Sequence, residues 1–188
     1  MILYSYYYKC MNTNNFDDYD YDDISKNKPK KKVNGKKKGN RTELDLTKLL
    51  SARFNQPFSR TVGSGSRWSQ ANLPQHAKEV FSGDIVVPKN FKFAIESKGG
   101  YDSIDLGAVF ISGNKELDTF MDQAIEDAKR CGRMPLLCWK RTRKPWMAFL
   151  LTEDLGQYDF KYTITYGKWT GVALEFLLNK EDKFFLND

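Results

Sequence analysis

The chain has 188 residues, 40% of them hydrophobic and 14% aromatic, which is enough for one globular domain with a sizeable core and a tail. No apolar run is long enough to span a membrane, and the first residues are too short and too polar for a signal peptide, so we expect no membrane partner. Three cysteines without a CxxC spacing predict reduced thiols in the cytoplasm and no zinc site.

Residues 1–41 differ in composition from the rest of the chain. They contain ten Lys or Arg and five Asp, whereas residues 42–188 contain twenty basic and nineteen acidic residues. Blocks of like charge and few aliphatic side chains predict a disordered, low-complexity tail, and we expect the folded domain at 42–188. The tail is interpreted either as a solubilising segment or as an arm that attracts nucleic-acid phosphates without reading sequence.

The folded part is predicted to open with a helix, because apolar residues between positions 44 and 54 have mostly helical spacing. Thr42 is predicted to be its N-cap, which places Glu43 in the first turn. There Glu43 would complement the helix dipole. This structural role is preferred unless the hairpin farther along the chain provides a functional site that Glu43 can join.

A short strand is predicted at Phe58–Val62, followed by a loop rich in Gly and Ser at residues 63–68. Glycine lets a backbone approach a phosphate closely, and Ser64 and Arg67 carry phosphate-binding groups. Most loops of this composition only connect elements, so the signal is weak. His76, the single histidine, is more typical of a surface residue than of a catalytic base.

Two apolar segments, Gly83–Pro88 and Phe91–Gly100, predict a β-hairpin. In its second strand Glu96 and Lys98 leave the same face, one pleat apart. With Asp84 on the neighbouring strand they form a compact site for a hard cation and a water molecule. The hypothesis is a metal-dependent phosphodiesterase on a chain that holds DNA. The alternative is an exposed ion pair worth only about 0–1 kcal/mol.

Beyond the hairpin, residues 99–114 are predicted as a loop, and the clearest helix in the chain follows. Its apolar residues between Leu117 and Ala128 repeat at i, i+3, i+4 and i+7, and Gly132 ends it. Its polar residues predict a solvated face, except that Gln123 adjoins the apolar stripe and is expected to reach the site.

Strands are predicted at 135–139 and 146–151, as antiparallel neighbours. The turn between them is strongly basic, which suggests phosphate contact, although charges also protect sheet edges from pairing. Its four charged residues are Lys140, Arg141, Arg143 and Lys144. An alternating strand at Tyr158–Tyr166, a further strand at Lys168–Leu174 and a short helix at Glu175–Leu178 complete the prediction.

This order of elements resembles the PD-(D/E)XK nuclease superfamily, and within it the archaeal-type Holliday junction resolvases and their phage relatives. The Gly-Asp that leads one strand in that family matches Asp84. The Glu-x-Lys that ends the next strand matches Glu96 and Lys98, and an acidic residue on the first helix matches Glu43. The resemblance covers about residues 40–151.

The resemblance implies an α/β fold with a restriction-endonuclease-like core, in which a central mixed β-sheet is flanked by helices. It implies Mg²⁺, or Mn²⁺, held by Asp84, Glu96 and the Ser97 carbonyl, with Glu43 at a second ion or a water molecule. Such an ion neutralises charge on the scissile phosphate and lowers the pKa of a water molecule, which Lys98 would orient.

Further positions match the DNA contacts of that family. Arg60 and Ser64 correspond to an Arg and a Ser that precede the hairpin, and they would bind the phosphate next to the cut, with Ser64 counted among the catalytic residues. Lys140 corresponds to the basic residue that closes the strand after the long helix. One departure is Gly83, which stands where the commonest form of the motif has Pro.

The function that the resemblance implies is a symmetric dimer that cuts four-way DNA junctions and needs no organic cofactor. It would act in the cytoplasm, that of the host cell if the chain comes from a phage. Two alternatives stay open. One is a repair, recombination or genome-degrading nuclease on duplex, flap or single-stranded DNA, and the other is a non-catalytic DNA-binding protein that uses the lysine-rich tail and the basic turn.

Overall fold

The computed structural model describes residues 35–61 and 83–187, without the side chains of residues 35–38 and Phe110. Most of the predicted tail lies outside these ranges, so its boundary at residue 41 stays a prediction. The elements are, in chain order, α1 (Gly35–Phe54), β1 (Ser59–Arg60), β2 (Ile85–Val86), β3 (Phe93–Gly99), α2 (Leu106–Ser112), α3 (Lys115–Cys131), β4 (Met134–Lys140), β5 (Trp146–Leu151), a 3₁₀ helix (Thr152–Leu155), β6 (Ile164–Tyr166), β7 (Trp169–Ala173), α4 (Leu174–Leu178) and α5 (Asp182–Phe185).

A mixed sheet of seven strands forms the centre of the described part, in the order β1-β2-β3-β4-β5-β7-β6. β3 and β4 are parallel, and the other pairings between these strands are antiparallel. A parallel pair requires a crossover connection, and the long helix α3 supplies it. This is the predicted α/β architecture, a central mixed sheet with helices packed against it.

β3 divides the core into two layers because its side chains alternate between the faces of the sheet. Phe93 and Ile95 point to one face, where they pack with leucines of α1 and with phenylalanines from α5. Ala94 points to the other face, against α3. By the same alternation, Glu96 and Lys98 leave on the α3 side, so charged groups enter that layer at the end of β3.

Helix α5 and the residues after it hold the turn of the hairpin, just before β3. The Lys92 N–H donates to the Phe185 carbonyl at 2.7 Å, and the Asn187 N–H donates to the Asn90 carbonyl at 2.8 Å. The Phe185 ring is fully buried and contacts phenylalanines of α1 and β3. Contacts from the far end of the domain therefore fix the hairpin at its turn.

The hairpin, the long helix and the β4–β5 pair are confirmed. β2 pairs antiparallel with β3, with Ile85 opposite Ile95. Asn114 caps α3 by accepting hydrogen bonds from two N–H groups of its first turn, and Gly132 ends it with a left-handed φ of 66°. Among the helices in the described ranges, none is both long enough and apolar enough to cross a bilayer.

Three predicted elements need correction. Helix α1 begins at Gly35, so Thr42 lies inside the helix and is not its N-cap. The predicted loop at 99–114 contains α2, whose N-cap Asp105 accepts a hydrogen bond from the second helical N–H at 2.8 Å. Of the predicted strand at Tyr158–Tyr166, only its last part forms β6, because only that part meets a partner strand, β7.

Gly83, which replaces the Pro of the commonest motif, is required by the geometry at the start of β2. Its φ is +81°, and a Cβ atom there would lie 2.6 Å from the Ile95 carbonyl oxygen. Proline is excluded because its ring holds φ near −65°. The glycine therefore lets β2 approach β3 closely enough to place Asp84.

We expect Gly83→Ala to lower the free energy of unfolding by about 2–5 kcal/mol. The left-handed φ costs roughly 1–2 kcal/mol for any side chain, and the collision with the β3 backbone adds about 1–3 kcal/mol. Urea denaturation measures the change. The matched control is Gly132→Ala, because Gly132 also has a left-handed φ, of +66°, but has no atom within 4 Å of an added Cβ. Equal losses in the two variants would contradict the role of crowding at Gly83.

Candidate active site

The hairpin brings the carboxyl groups of Asp84 and Glu96 together on one side of the sheet. Ile85 lies opposite Ile95 in an antiparallel pair. Asp84, which precedes Ile85, and Glu96, which follows Ile95, are therefore neighbours across the strands. Asp84 Oδ2 accepts a hydrogen bond from the Ser97 N–H at 3.0 Å, and the Asp84 carboxyl group is within hydrogen-bonding reach of Glu96. Two carboxyl groups from adjacent strands therefore share one small volume.

Lys98 joins this cluster from the same face of β3. Its Nζ lies 2.5 Å from Glu96 Oε1, and the two side chains are only 17% and 7% exposed. The ammonium group also lies 5.2 Å from the centre of the Phe120 ring on α3. The alternative of an exposed ion pair is therefore wrong. Burying two charges costs desolvation energy that their attraction offsets only in part, so the pair is poor evidence of a purely stabilising role.

Glu43 reaches the cluster from α1. The helix packs so closely on β3 that a Cβ atom at Gly99 would collide with Thr42 Oγ1, and Glu43 is the next residue along the helix. Glu43 Oε2 accepts a hydrogen bond from Arg60 Nε at 2.7 Å, and Arg60 Nη2 donates to Asn40 at 2.8 Å. The predicted acidic residue of the first helix and the predicted phosphate-binding arginine are therefore partners.

The sequence prediction missed one carboxylate, Asp127 of α3. It is within hydrogen-bonding reach of Glu96, and its Oδ1 lies 2.7 Å from Arg130 Nη1. A signal was present in the sequence, because Asp127 follows the buried Phe120 by seven positions, or two helical turns. Gln123 was expected to reach the site and is instead exposed, since it lies farther round the helix from the centre of the buried stripe.

Burial makes the charged form of the carboxyl groups in this cluster unfavourable. Loss of solvation, followed by the charge of Asp84, raises the pKa of Glu96 to about 8, although Lys98 opposes the shift. Burial is also the main cause of the raised pKa values of Asp84, Glu43 and Asp127. At Lys98 burial works against the charge, but the Glu96 carboxylate and its hydrogen bond outweigh it, so the pKa lies above its usual range. Such a cluster favours binding of a further cation.

The donor atoms fit a hard divalent cation. Asp84 and Glu96 offer carboxylate oxygens, and the N–H and C=O of one strand residue point to the same side, so the Ser97 carbonyl faces the same edge as its N–H. Mg²⁺ needs only one or two carboxylates besides water and a substrate phosphate. Within residues 35–61 and 83–187, no group of three or more His, Cys, Asp or Glu side chains is placed to hold a metal ion.

The basic turn between β4 and β5 is fastened to the loop that follows β3. Thr142 donates two hydrogen bonds to Asp102, from its N–H at 2.6 Å and from its hydroxyl group at 2.5 Å. Arg141 Nη1 donates to a carbonyl of the same loop at 3.4 Å. Arg143 and Lys144 are exposed. The turn is thus held beside the loop that follows β3, and two of its predicted phosphate contacts are exposed.

Of the three remaining predicted DNA contacts, Lys140, Ser64 and Arg67, the structure describes only Lys140. Lys140 has its Nζ 5.4 Å from the centre of the Trp146 ring, at the foot of the turn. Ser64 and Arg67 lie outside the described residues, as does His76, so their roles stay predictions.

Comparison with known proteins supports the resemblance. The model of a family described as "Phage putative PDDEXK endonuclease" matches residues 34–181, while a search of curated proteins found no match. Among solved structures, the Holliday junction resolvase Hjc of Archaeoglobus fulgidus is similar, with 19% identity and a TM-score of 0.36 over 74% of this chain and 93% of that chain.

The family match runs beyond the predicted extent of the resemblance at both ends. It includes α1, the complete hairpin, α3 and the strands up to β7, and therefore every residue of the cluster. The predicted restriction-endonuclease-like fold is confirmed, and PD-(D/E)XK nucleases generally use divalent metal ions. Because the match covers most of its length, the chain belongs to the family of phage PD-(D/E)XK endonucleases.

Proposed function

We propose that this nuclease is a Mg²⁺-dependent DNA endonuclease that cuts four-way junctions as a symmetric dimer. The observation that carries the proposal is the meeting of buried Glu96 with the half-buried Asp84 and Lys98 in one cluster at the open end of the β2–β3 hairpin. The three residue types match the family motif in order and spacing. Mn²⁺ would serve in place of Mg²⁺, since both take oxygen ligands in octahedral geometry.

Asp84, Glu96 and the Ser97 carbonyl would hold the ion. Once bound, it would neutralise charge on the scissile phosphate and supply the nucleophile by lowering the pKa of a water molecule. Asp84 is already fixed for this task by the Ser97 N–H at 3.0 Å. Glu43, on the far side of the cluster, would hold a second ion or a water molecule. Its hydrogen bond also keeps the Arg60 side chain in place.

Lys98 would stabilise the transition state by charge. Its raised pKa keeps the ammonium group protonated near neutral pH, so it serves as a donor to phosphate oxygens and not as a base. Because Glu96 and the Phe120 ring hold it in a buried position, its field acts with little screening by solvent. Arg60 would bind the neighbouring phosphate with the part of its guanidinium group that Glu43 and Asn40 leave open.

The basic turn would bind the DNA backbone on the flank of the cut. Arg143 and Lys144 are exposed, and the Asp102–Thr142 hydrogen bonds hold the turn beside the loop that follows Lys98. Contacts of this kind bind phosphates of any sequence and weaken as salt rises. They position the duplex, while the preference for a junction would arise from dimer geometry, since a two-fold dimer presents two sites at a fixed separation.

The test is incubation of the purified protein with a panel of DNA substrates in Mg²⁺. A four-way junction should be cut at two symmetric positions, cutting should stop in EDTA, and light scattering should show a dimer. An intact junction beside cut duplex, flap or single-stranded DNA would instead establish the repair or degradative nuclease. Salt-sensitive binding without cleavage in either Mg²⁺ or Mn²⁺ would overturn the enzymatic proposal and leave a DNA-binding protein.

A further inference from the structure

Tyr101 holds a backbone conformation that tyrosine rarely adopts. Its φ is +56°, in the left-handed region where every residue with a Cβ atom is crowded. The side chain is not used to fill the core either, since the residue is 39% exposed. A strained and exposed aromatic residue two positions beyond the motif strand points to a function for that conformation.

Several hydrogen bonds hold this conformation in place. The Gly100 N–H donates to the Lys140 carbonyl at 2.8 Å, and the Ile104 N–H donates to the Tyr101 carbonyl at 3.1 Å. The indole N–H of Trp139 donates to the Gly100 carbonyl at 3.0 Å. These bonds tie the loop to β4, so the Tyr101 ring is presented from a fixed backbone.

The Tyr101 ring and the Lys98 ammonium group lie against the same aromatic ring of α3, that of Phe120. Tyr101 and Phe120 pack edge to face, with ring centres 4.6 Å apart and planes at 64°, and Lys98 Nζ lies 5.2 Å from the same Phe120 ring. The phenol group is close enough to act electrostatically on Lys98. One part of the ring is thus supported by α3, and the rest is open to solvent beside the place where the scissile phosphate would bind.

We propose that the Tyr101 ring stacks on a nucleobase next to the scissile phosphate. The inference rests on the proposed function, because it takes DNA to be the substrate of this cluster. Inside a continuous duplex the faces of a base are covered by its neighbours, whereas at a branch point or in a single strand a face is available for an aromatic side chain. Tyr101 therefore favours DNA whose stacking is interrupted at the cut, and it contributes to the preference for branched substrates.

The experiment measures binding in Ca²⁺, without cleavage, to a four-way junction that carries 2-aminopurine at the branch point. Tyr101→Ala should bind the junction roughly 5- to 100-fold more weakly, with less change in 2-aminopurine fluorescence on binding, while its affinity for a continuous duplex stays the same. Tyr101→Phe should behave like the wild type, because the ring is kept. The control is Tyr162→Ala, which removes another tyrosine, 63% exposed, and should change neither affinity.

Tyr101→Gly separates stacking from folding. It removes the ring and its packing on Phe120 but relieves the left-handed backbone, so it should fold about as well as the wild type and show the same loss of junction binding as Tyr101→Ala. Unchanged junction affinity and fluorescence in Tyr101→Gly would overturn the stacking proposal even if the wild type cuts junctions. Ring-dependent junction binding by a wild type that cuts no DNA would support stacking and overturn the proposed nuclease function, so the two failures are distinguishable.

Discussion

Asp84→Asn should abolish cleavage and leave DNA binding intact. The substitution keeps the shape of the side chain and its hydrogen bond from the Ser97 N–H, but it removes one of the two carboxylates that would hold the cation. A metal ion supplies several kcal/mol of transition-state stabilisation, and each 1.4 kcal/mol corresponds to about tenfold in rate. The expected loss is therefore on the order of 10³-fold, measured as the single-turnover rate on a labelled junction.

The control for this prediction is Asp122→Asn, the same chemical change at an exposed position of α3. It should leave both cleavage and binding unchanged. Calorimetry adds a measurement that does not depend on activity, since Asp84→Asn should bind Mn²⁺ more weakly than the wild type and Asp122→Asn should not. Normal cleavage by Asp84→Asn would remove the basis for placing the ion between β2 and β3.

Glu96→Gln should have opposite effects on catalysis and on stability. Cleavage should fall by about 10³-fold, for the same reason as at Asp84. The metal-free protein should become more stable at pH 9, because the substitution removes a buried negative charge from a cluster that already holds Asp84 and Asp127. At pH 5, where Glu96 is protonated and resembles glutamine, the substitution should change stability little.

The sign of this pH dependence follows from the raised pKa of Glu96. The folded protein holds the Glu96 proton up to a pH of about 8, whereas an unperturbed glutamate has a pKa of 4.5. Between these values the folded state binds more protons than the unfolded state, so wild-type stability falls as pH rises through this window. Below pH 4.5 the penalty is absent, and above pH 8 it is complete, at about 1.4 kcal/mol for each pKa unit.

Thermal melts in EDTA at pH 5 and pH 9 check this prediction. Between pH 5 and pH 9 the melting temperature of the wild type should fall further than that of Glu96→Gln. The difference between the two drops should be about 2–4 °C for each kcal/mol of the Glu96 penalty. Adding Mg²⁺ at pH 9 should stabilise the wild type and not the variant. Glu116→Gln, at an exposed position, serves as the control and should follow the wild type. A variant that melts lower than wild type at pH 9 would show that Glu96 is stabilised as a charged ion-pair partner.

The meeting of Asp84, Glu96 and Lys98 could be predicted from the sequence because each step is local. An i, i+2 spacing on a strand sets two side chains on one face, and a short hairpin fixes which residue lies opposite. Helix α3 was predictable for a similar reason, since a long apolar stripe closed by Gly132 leaves little ambiguity.

The parts that could not be predicted depend on tertiary contacts. Helix α1 begins at Gly35, within a lysine-rich segment, and its apolar residues start only later. Helix α2 has seven residues, too few for a periodic pattern to distinguish it from a loop. Asp127 joins the cluster only because α3 crosses behind β3, and the sequence alone does not place helix and strand side by side.

Residues 185–187 are attached to the turn of the hairpin, so this contact forms late in the synthesis of the domain. The strand that carries Glu96 and Lys98 occupies the middle of the domain, yet its base is held by backbone hydrogen bonds to Phe185 and Asn187. On the ribosome these partners emerge after every residue of the cluster. A nascent chain would therefore carry Asp84, Glu96 and Lys98 before the backbone hydrogen bonds that hold the turn ahead of β3 can form.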